Sequence, residues 1–331
     1  MSALPPPGPH GGDGAAVARA LGLAPDQVLD LSTTLNPLAA DPAPIVARHL
    51  DALGRYPDPS RATAALAAVL GVPVDRLVLT NGGAEAIALA GRFLGGWVEE
   101  PDFALYPRGE AEAPLPGIGP IEAPRWRSNP RSPTGELAPS RTAGAPDPGG
   151  APRRPDPPGL AVWDEAFWPL ATGTWSRGDD RHGDVVVGSL TKLLACPGLR
   201  AGYLVVPDGD LGRALATAVR AAQPEWSVGG LACEALPDLL ATVDLAGWAD
   251  ALAEVRRDLA DRCAGAGLAV VGGGPTWLLV SGDDLRSRLA PLGVVVRDAA
   301  SFGLHGTVRI GLPRPADLPH VAAALDRLTP A

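Results

Sequence analysis

Gly188-Ser-Leu-Thr-Lys192-Leu-Leu-Ala-Cys-Pro-Gly-Leu-Arg200-Ala-Gly-Tyr203 contains the only lysine of the chain; of 28 Lys and Arg residues, 27 are arginine. Arginine cannot form an imine, whereas a lysine amine that sheds its proton can. A chain that has turned to arginine everywhere else, yet keeps Lys192 between Thr191 and an apolar pair, marks that position for Schiff-base chemistry. A chance survivor on a surface helix is the plain alternative. The apolar run Asp184–Gly188 reads as a strand that delivers Ser189, Thr191 and Lys192, and Arg200–Val206 reads as the next strand.

Two stretches upstream supply partners for such a lysine. Gly159–Trp163 reads as a buried strand that ends at Asp164-Glu165, and ligands of open parallel sheets gather at such carboxyl ends. Asp75–Thr80 reads as a strand running through Asn81-Gly82-Gly83-Ala84-Glu85 into the helix Ala84–Phe93. That order places free backbone N–H groups and a helix dipole where a phosphate can sit, although a tight turn without a ligand has the same pattern. Ser128-Asn129-Pro130 through Gly135 is a polar loop able to aim Asn129 into a site, and Pro139–Gly159 is low-complexity sequence read as a surface loop. Beyond Pro207 the chain is mostly helical, with strands expected at Gly267–Val271, Trp277–Val280, Gly293–Arg297 and Thr307–Gly311. Alternating β and α segments in the middle predict an α/β fold, a mostly parallel central sheet flanked by helices, followed by a smaller α+β domain.

The 331 residues suffice for two domains, and the net charge of -9 speaks against nucleic acid or an anionic membrane surface as a partner. No apolar run is long enough to span a membrane, and the start lacks a signal-peptide pattern, so a cytoplasmic protein is expected. Cys196, Cys233 and Cys263 are far apart and odd in number, which argues against a disulfide framework or a cysteine metal site. The Pro- and Gly-rich start, with His10-Gly11-Gly12-Asp13, is too flexible to form an element alone and has to be pinned by another part of the chain.

Four motifs occur in series: Asn81-Gly-Gly-Ala-Glu85, Asn129-Pro-x-x-Pro-Thr-Gly135, Asp164-Glu-Ala-Phe167, and Ser189-x-Thr-Lys192 followed by Arg200-x-Gly-Tyr203. In this order they resemble the fold-type I aminotransferases, which use pyridoxal 5′-phosphate. Within that family the chain is most similar to the branch of the histidinol-phosphate aminotransferases and the threonine-phosphate decarboxylases of cobalamin biosynthesis. The residues behind this are His10-Gly-Gly-Asp13, Leu31 to Asn36-Pro37, Arg55-Tyr56-Pro-Asp-Pro59, Val296-Arg297-Asp298, Ser301-Phe302-Gly303 and Val308-Arg309-Ile310.

The resemblance implies that Lys192 carries the cofactor aldehyde, Asp164 pairs with the ring nitrogen and Asn129 bonds the ring hydroxyl, with Tyr106 lining the ring side. It places the cofactor phosphate on Gly83, Ala84, Ser189, Thr191 and Arg200, and brings Tyr56 from the second subunit of a homodimer. Asn36, Arg297, Arg309 and His10 would meet a small phosphorylated amino acid or amino alcohol substrate. The domains implied are an arm of residues 1–29, a cofactor-binding domain of 30–235 and a small domain of 236–331. The activity implied is decarboxylation of L-threonine O-3-phosphate to aminopropanol phosphate. A histidinol-phosphate type aminotransferase and a non-catalytic protein of the same fold are the alternatives. Phe167 stands where many relatives carry tyrosine, and only 22 residues separate Tyr106 from Asn129, so the large domain is expected to be shortened.

Overall fold

The computed structural model describes residues 4–8, 10–139 and 159–328. The low-complexity stretch read as a surface loop therefore lies, over 140–158, outside the described residues. The chain begins with α1 (Gly14–Leu21), β1 (Leu29–Asp30), α2 (Ala43–Ala47), α3 (Ser60–Leu70), β2 (Leu77–Thr80), α4 (Gly83–Leu94), β3 (Trp97–Val98) and β4 (Arg125–Ser128). It continues through β5 (Ala161–Asp164), α5 (Trp168–Thr172), β6 (Val185–Ser189), α6 (Leu190–Leu193), β7 (Gly202–Val205), α7 (Asp210–Ala222), α8 (Gly230–Leu240) and α9 (Leu245–Gly265). The last elements are β8 (Ala269–Gly274), β9 (Trp277–Ser281), α10 (Leu285–Leu289), β10 (Val294–Val295), β11 (Arg297–Asp298), β12 (Thr307–Gly311) and α11 (Leu318–Asp326).

These elements form two compact units, one of Ala39–Ser132 with Glu136–Leu245, the other of Met1–Leu38, Pro133–Gly135 and Ala246–Ala331. In the first, six strands line up as β2-β7-β6-β5-β4-β3. The pairs β3/β4, β4/β5 and β5/β6 are parallel, and only β7 runs against its neighbours. β5 and β6 are apolar on both faces because helices and loops cover both sides of a parallel sheet. On one face Ile87, Ala90 and Leu94 of α4 and Leu215 and Val219 of α7 pack on Val78, Val162, Val187 and Leu204. Spacing of these apolar residues by three or four positions gives each helix one buried stripe.

The register sets the site. Ser128 lies opposite Asp164, Asp164 opposite Val187, and Ser189 opposite Gly202, which also faces Thr80. Strands β2, β6, β5 and β4 thus bring Thr80, Ser189, Asp164 and Ser128 to the same carboxyl edge of the sheet.

One strand of this sheet departs from the sequence expectation. The residues before Arg127 show little periodicity and Ser128 reads as loop, yet Arg125–Ser128 is a buried strand. Arg-Trp-Arg-Ser looks like a wet edge; Trp126 instead enters the apolar cluster, and the Arg125 and Arg127 guanidiniums lie 5.1 and 5.9 Å from the Trp163 ring centroid. The shortening expected between Tyr106 and Asn129 is visible: residues 99–124 hold no helix and no strand.

In the second unit β11-β12-β9-β8 form an antiparallel sheet, and β1 and β10 a separate parallel pair with Leu29 against Val294. The single strand expected at Gly293–Arg297 is therefore two, because Val294–Val295 and Arg297–Asp298 bond to different partners. The N-terminal arm is pinned as its composition requires. Gly12 N–H donates to Ser32 Oγ at 2.7 Å and Gly14 N–H to Asp30 Oδ2 at 3.0 Å. A side chain at Gly11 would lie 2.0 Å from the Ser32 carbonyl oxygen, so only glycine lets the arm settle there.

Candidate active site

At the end of β2 the backbone turns through Gly82 into α4. Gly82 has φ 80 and ψ 166, a conformation open to glycine alone, and a side chain there would meet Arg200 Nη2 at 2.5 Å. A Cβ at Gly202 would be 2.4 Å from the Gly83 nitrogen, and one at Gly83 would be 3.1 Å from Ser189 Cβ. Glycines 82, 83 and 202 thus let three backbone segments, the Ser189 hydroxyl and the Arg200 guanidinium converge on the first turn of a twelve-residue helix. The amides of Gly83 and Ala84 have no acceptor within the helix, so dipole, amides and guanidinium all favour an anion. Arg200 is exposed and itself holds a positive φ of 57, rare outside glycine.

Lys192 is half-buried in α6, directly after β6. Its charge acts on Asp164, the last residue of β5. Burial pushes the Asp164 carboxyl above its ordinary range, against the pull of the Ala166 amide, the Tyr106 hydroxyl and the Lys192 charge. A cation placed at Asp164 would offset that desolvation. Ala166 N–H donates to Oδ1 at 2.9 Å and Tyr106 OH to Oδ2 at 2.9 Å. Asn129 is anchored beside it: its own N–H donates to the Asp164 carbonyl at 2.8 Å and its Oδ1 accepts from Ala138 N–H at 3.0 Å. Asn129 Nδ2 and Thr191 Oγ1 are buried and have no hydrogen-bond partner. A buried donor without an acceptor is costly, and two of them at one sheet edge point to a missing ligand.

The second unit holds another charged feature. Arg297 and Arg309 lie directly opposite across β11 and β12, 5% and 6% exposed. Arg297 is 4.1 Å and Arg309 5.6 Å from the Phe302 ring centroid, Arg297 Nη2 donates to Ser301 Oγ at 3.1 Å, and Arg309 Nε is buried without an acceptor. Burial draws Arg297 down to about 10 against the pull of Asp13, and Arg309 to about 9, the latter also repelled by Arg297. Because guanidinium stays protonated, such depression measures buried positive charge that an anion would neutralise. Asn36, 1% exposed, accepts from Leu38 N–H through Oδ1, while His10 is exposed.

Tyr56 is 76% exposed, and its ring contact is a stack on Trp226 at 4.4 Å. One carboxyl, Asp102, escapes a reading of sequence alone. Asp102, 3% exposed, accepts from Ser128 N–H at 3.1 Å, from the Ser128 hydroxyl and from Phe103 N–H, and burial lifts it to about 6. Glu165 accepts from Arg177 N–H at 3.0 Å and burial lifts it to about 8. Nothing near Pro101-Asp-Phe marks Asp102 as buried, whereas Glu165 ends the strand that the sequence reads as buried.

Residues 158–325 match the family model for aminotransferase class I and II. The threonine-phosphate decarboxylase of Salmonella typhimurium is 30% identical over 345 residues, 88% of each chain. The chain belongs to the class I and II aminotransferase family. A histidinol-phosphate aminotransferase of Halorubrum lacusprofundi is 27% identical over 89% of this chain and 87% of its own. Two solved structures share the fold: the histidinol-phosphate aminotransferase of Sinorhizobium meliloti in complex with pyridoxal 5′-phosphate, and the L-threonine-O-3-phosphate decarboxylase of Porphyromonas gingivalis. The first has a TM-score of 0.70 and 18% identity over 96% of this chain and 94% of that one. The second has a TM-score of 0.66 and 23% identity over 90% and 98%.

This family member is a pyridoxal 5′-phosphate-dependent enzyme of α/β fold type I, and its own atoms suit the group. The glycine turn with Ser189 and Arg200 suits a phosphate, the unpartnered Asn129 amide suits a ring hydroxyl, and Asp164, held above its ordinary range by burial despite Lys192, suits a pyridinium.

Proposed function

We propose that the enzyme decarboxylates L-threonine O-3-phosphate to aminopropanol phosphate, the reaction of cobalamin biosynthesis, as a cytoplasmic homodimer. The observation that carries this reading is the buried, directly opposed Arg297–Arg309 pair. Arg309, buried with Nε unsatisfied and repelled by Arg297, favours an anion, and threonine phosphate brings a carboxylate and a phosphate, whereas histidinol phosphate brings one. The 30% identity to the Salmonella typhimurium threonine-phosphate decarboxylase supports the same choice.

In this reading Lys192 Nζ holds the cofactor aldehyde, Asp164 keeps the ring nitrogen protonated and Asn129 Nδ2 donates to the ring hydroxyl. Gly83, Ala84, Ser189, Thr191 and Arg200 take the phosphate, with Tyr56 of a second copy of the chain. When bound, the cofactor supplies an electron sink for whichever bond at the substrate Cα lies perpendicular to its ring. Arg297 and Arg309, with Asn36 and His10, orient the substrate so that this bond is the one to the carboxylate. Lys192 Nζ would be the group that hands a proton to the substrate Cα. Incubating the cofactor-loaded protein with L-threonine O-3-phosphate should release carbon dioxide and leave aminopropanol phosphate. Amino transfer from histidinol phosphate to 2-oxoglutarate, with no carbon dioxide from threonine phosphate, would overturn the proposal.

A further inference from the structure

The exposed rings of Tyr56 and Trp226 are tied, through one carboxylate, to the turn at Gly82. They stack at a centroid distance of 4.4 Å with 29° between their planes, and stand 76% and 56% exposed. Trp226 holds a φ of 56, a left-handed backbone rare for a bulky side chain. Its loop follows α7, where Ser227 N–H donates to the Pro224 carbonyl at 3.1 Å and Gln223 Nε2 to the Leu79 carbonyl of β2 at 2.9 Å. Gln223 Nε2 also donates to Glu85 Oε2 at 3.0 Å, and Ser227 Oγ reaches the same oxygen at 3.4 Å. That oxygen accepts in addition from Asn81 N–H at 2.7 Å. We propose that Trp226 is a positioning residue whose ring seats Tyr56 for the cofactor phosphate of a second copy of the chain, and that Glu85 fixes the loop carrying Trp226 to the turn that takes the phosphate of its own. The inference rests on the reading of Tyr56 as a phosphate ligand delivered to that second copy.

Three features separate this arrangement from an incidental surface stack. A left-handed φ outside glycine persists where surrounding bonds over-determine it, and here the bonds of Gln223 and Ser227 to Glu85 bracket Trp226 on both sides. The chain beside Tyr56 is moored to the helix that the Trp226 loop leads into, since Arg55 Nη2 donates to Glu234 Oε1 of α8 at 3.2 Å. Glu85 stands in the first turn of α4, yet its bond to the turn goes back to Asn81 N–H, ahead of the helix, which leaves the Gly83 and Ala84 amides to an anion. A side chain already held against a stacked partner presents its hydroxyl with less ordering left to do at binding. One carboxylate thus shapes the turn of its own subunit and the seat of the tyrosine that serves the other.

The test is the affinity of the full-length protein for pyridoxal 5′-phosphate, read by equilibrium dialysis beside the thermal unfolding midpoint of the apoprotein. Trp226→Gly suits the left-handed φ, so the midpoint should hold or rise, while cofactor affinity should fall by about fivefold as the Tyr56 ring is freed. A tryptophan needed only for the fold would lower the midpoint instead. Trp226→Phe keeps a stacking ring and should keep most of the affinity. Tyr56→Phe keeps the stack and loses the hydroxyl, which should cost about tenfold, and adding Trp226→Gly to it should cost nothing more. Glu85→Ala unties loop and turn together, so only part of its loss should vanish in the Tyr56→Phe background. Gln223→Met removes the amide donor and should act as Trp226→Gly does, which decides the matter if Trp226→Gly does not fold. A Trp226→Gly loss of the same size with and without Tyr56→Phe, or no loss where Tyr56→Phe weakens binding, overturns the inference and leaves the role of Tyr56 intact. Cofactor affinity unmoved in Tyr56→Phe overturns both.

Discussion

The turn at Gly82 and the Arg297–Arg309 pair both favour negative charge, by opposite physical routes. At Gly82 the favourable field comes from backbone amides and a helix dipole, and the one guanidinium, Arg200, is exposed. Water solvates such a site when no ligand is bound, so it is cheap to keep. At Arg297 and Arg309 two like charges face each other across a strand pair at 5% and 6% exposure. Like charges directly opposite in a sheet repel, and burial removes the water that would screen them. The first site is tolerated by the fold, whereas the second places two buried like charges side by side, which costs stability.

The contrast breaks most plainly at Arg309. Arg309→Leu should weaken threonine phosphate binding by about a hundredfold, in the range measured when a buried charge partner is truncated. The same change should raise the unfolding midpoint by the equivalent of about 1 kcal/mol, because a buried, repelled cation is replaced by apolar volume. A variant that loses both substrate and stability would show the pair to be structural. At the turn, Gly82→Ala must adopt φ 80 against Arg200, so cofactor affinity should fall by about tenfold or more, read by equilibrium dialysis. Arg200→Gln should cost cofactor about tenfold in affinity and leave thermal unfolding of the apoprotein unmoved, since an exposed guanidinium contributes little to the fold.

What could be read from sequence follows the same division. The glycine turn, Asp164 and Lys192 are visible because each is tied to its neighbours by local chemistry: a strand end, a positive φ, a lone amine. Strand β4 and Asp102 are not, because their burial is decided by residues far along the chain. Arg125 and Arg127 count as polar until the Trp163 ring is laid against them, and Asp102 reads as one more solvated acid beside Glu99 and Glu100 until Ser128 wraps it. The split of the expected strand Gly293–Arg297 was likewise invisible, since it takes Leu29 pairing with Val294 to draw the first half away from β12.

The smallest effect concerns the buried acids, the mirror image of the arginine pair. Asp102 has no full counter-charge, and burial holds its carboxyl at about 6 against an ordinary 3.8. Between those values the unfolded chain has released the proton and the folded chain retains it, so folding takes up a proton. Stability therefore declines as pH rises through that window and is flat below it, the reverse of an acid held in a salt bridge. Glu165, lifted from 4.5 to about 8, adds a second decline that reaches further toward neutrality. Urea unfolding from pH 4 to pH 8 should show stability falling throughout. Asp102→Asn should remove about 2 kcal/mol of the fall below pH 6 and leave the part above it. If the wild-type and Asp102→Asn curves run parallel over the whole range, Asp102 does not titrate within the folded protein, and the desolvation argument for it fails.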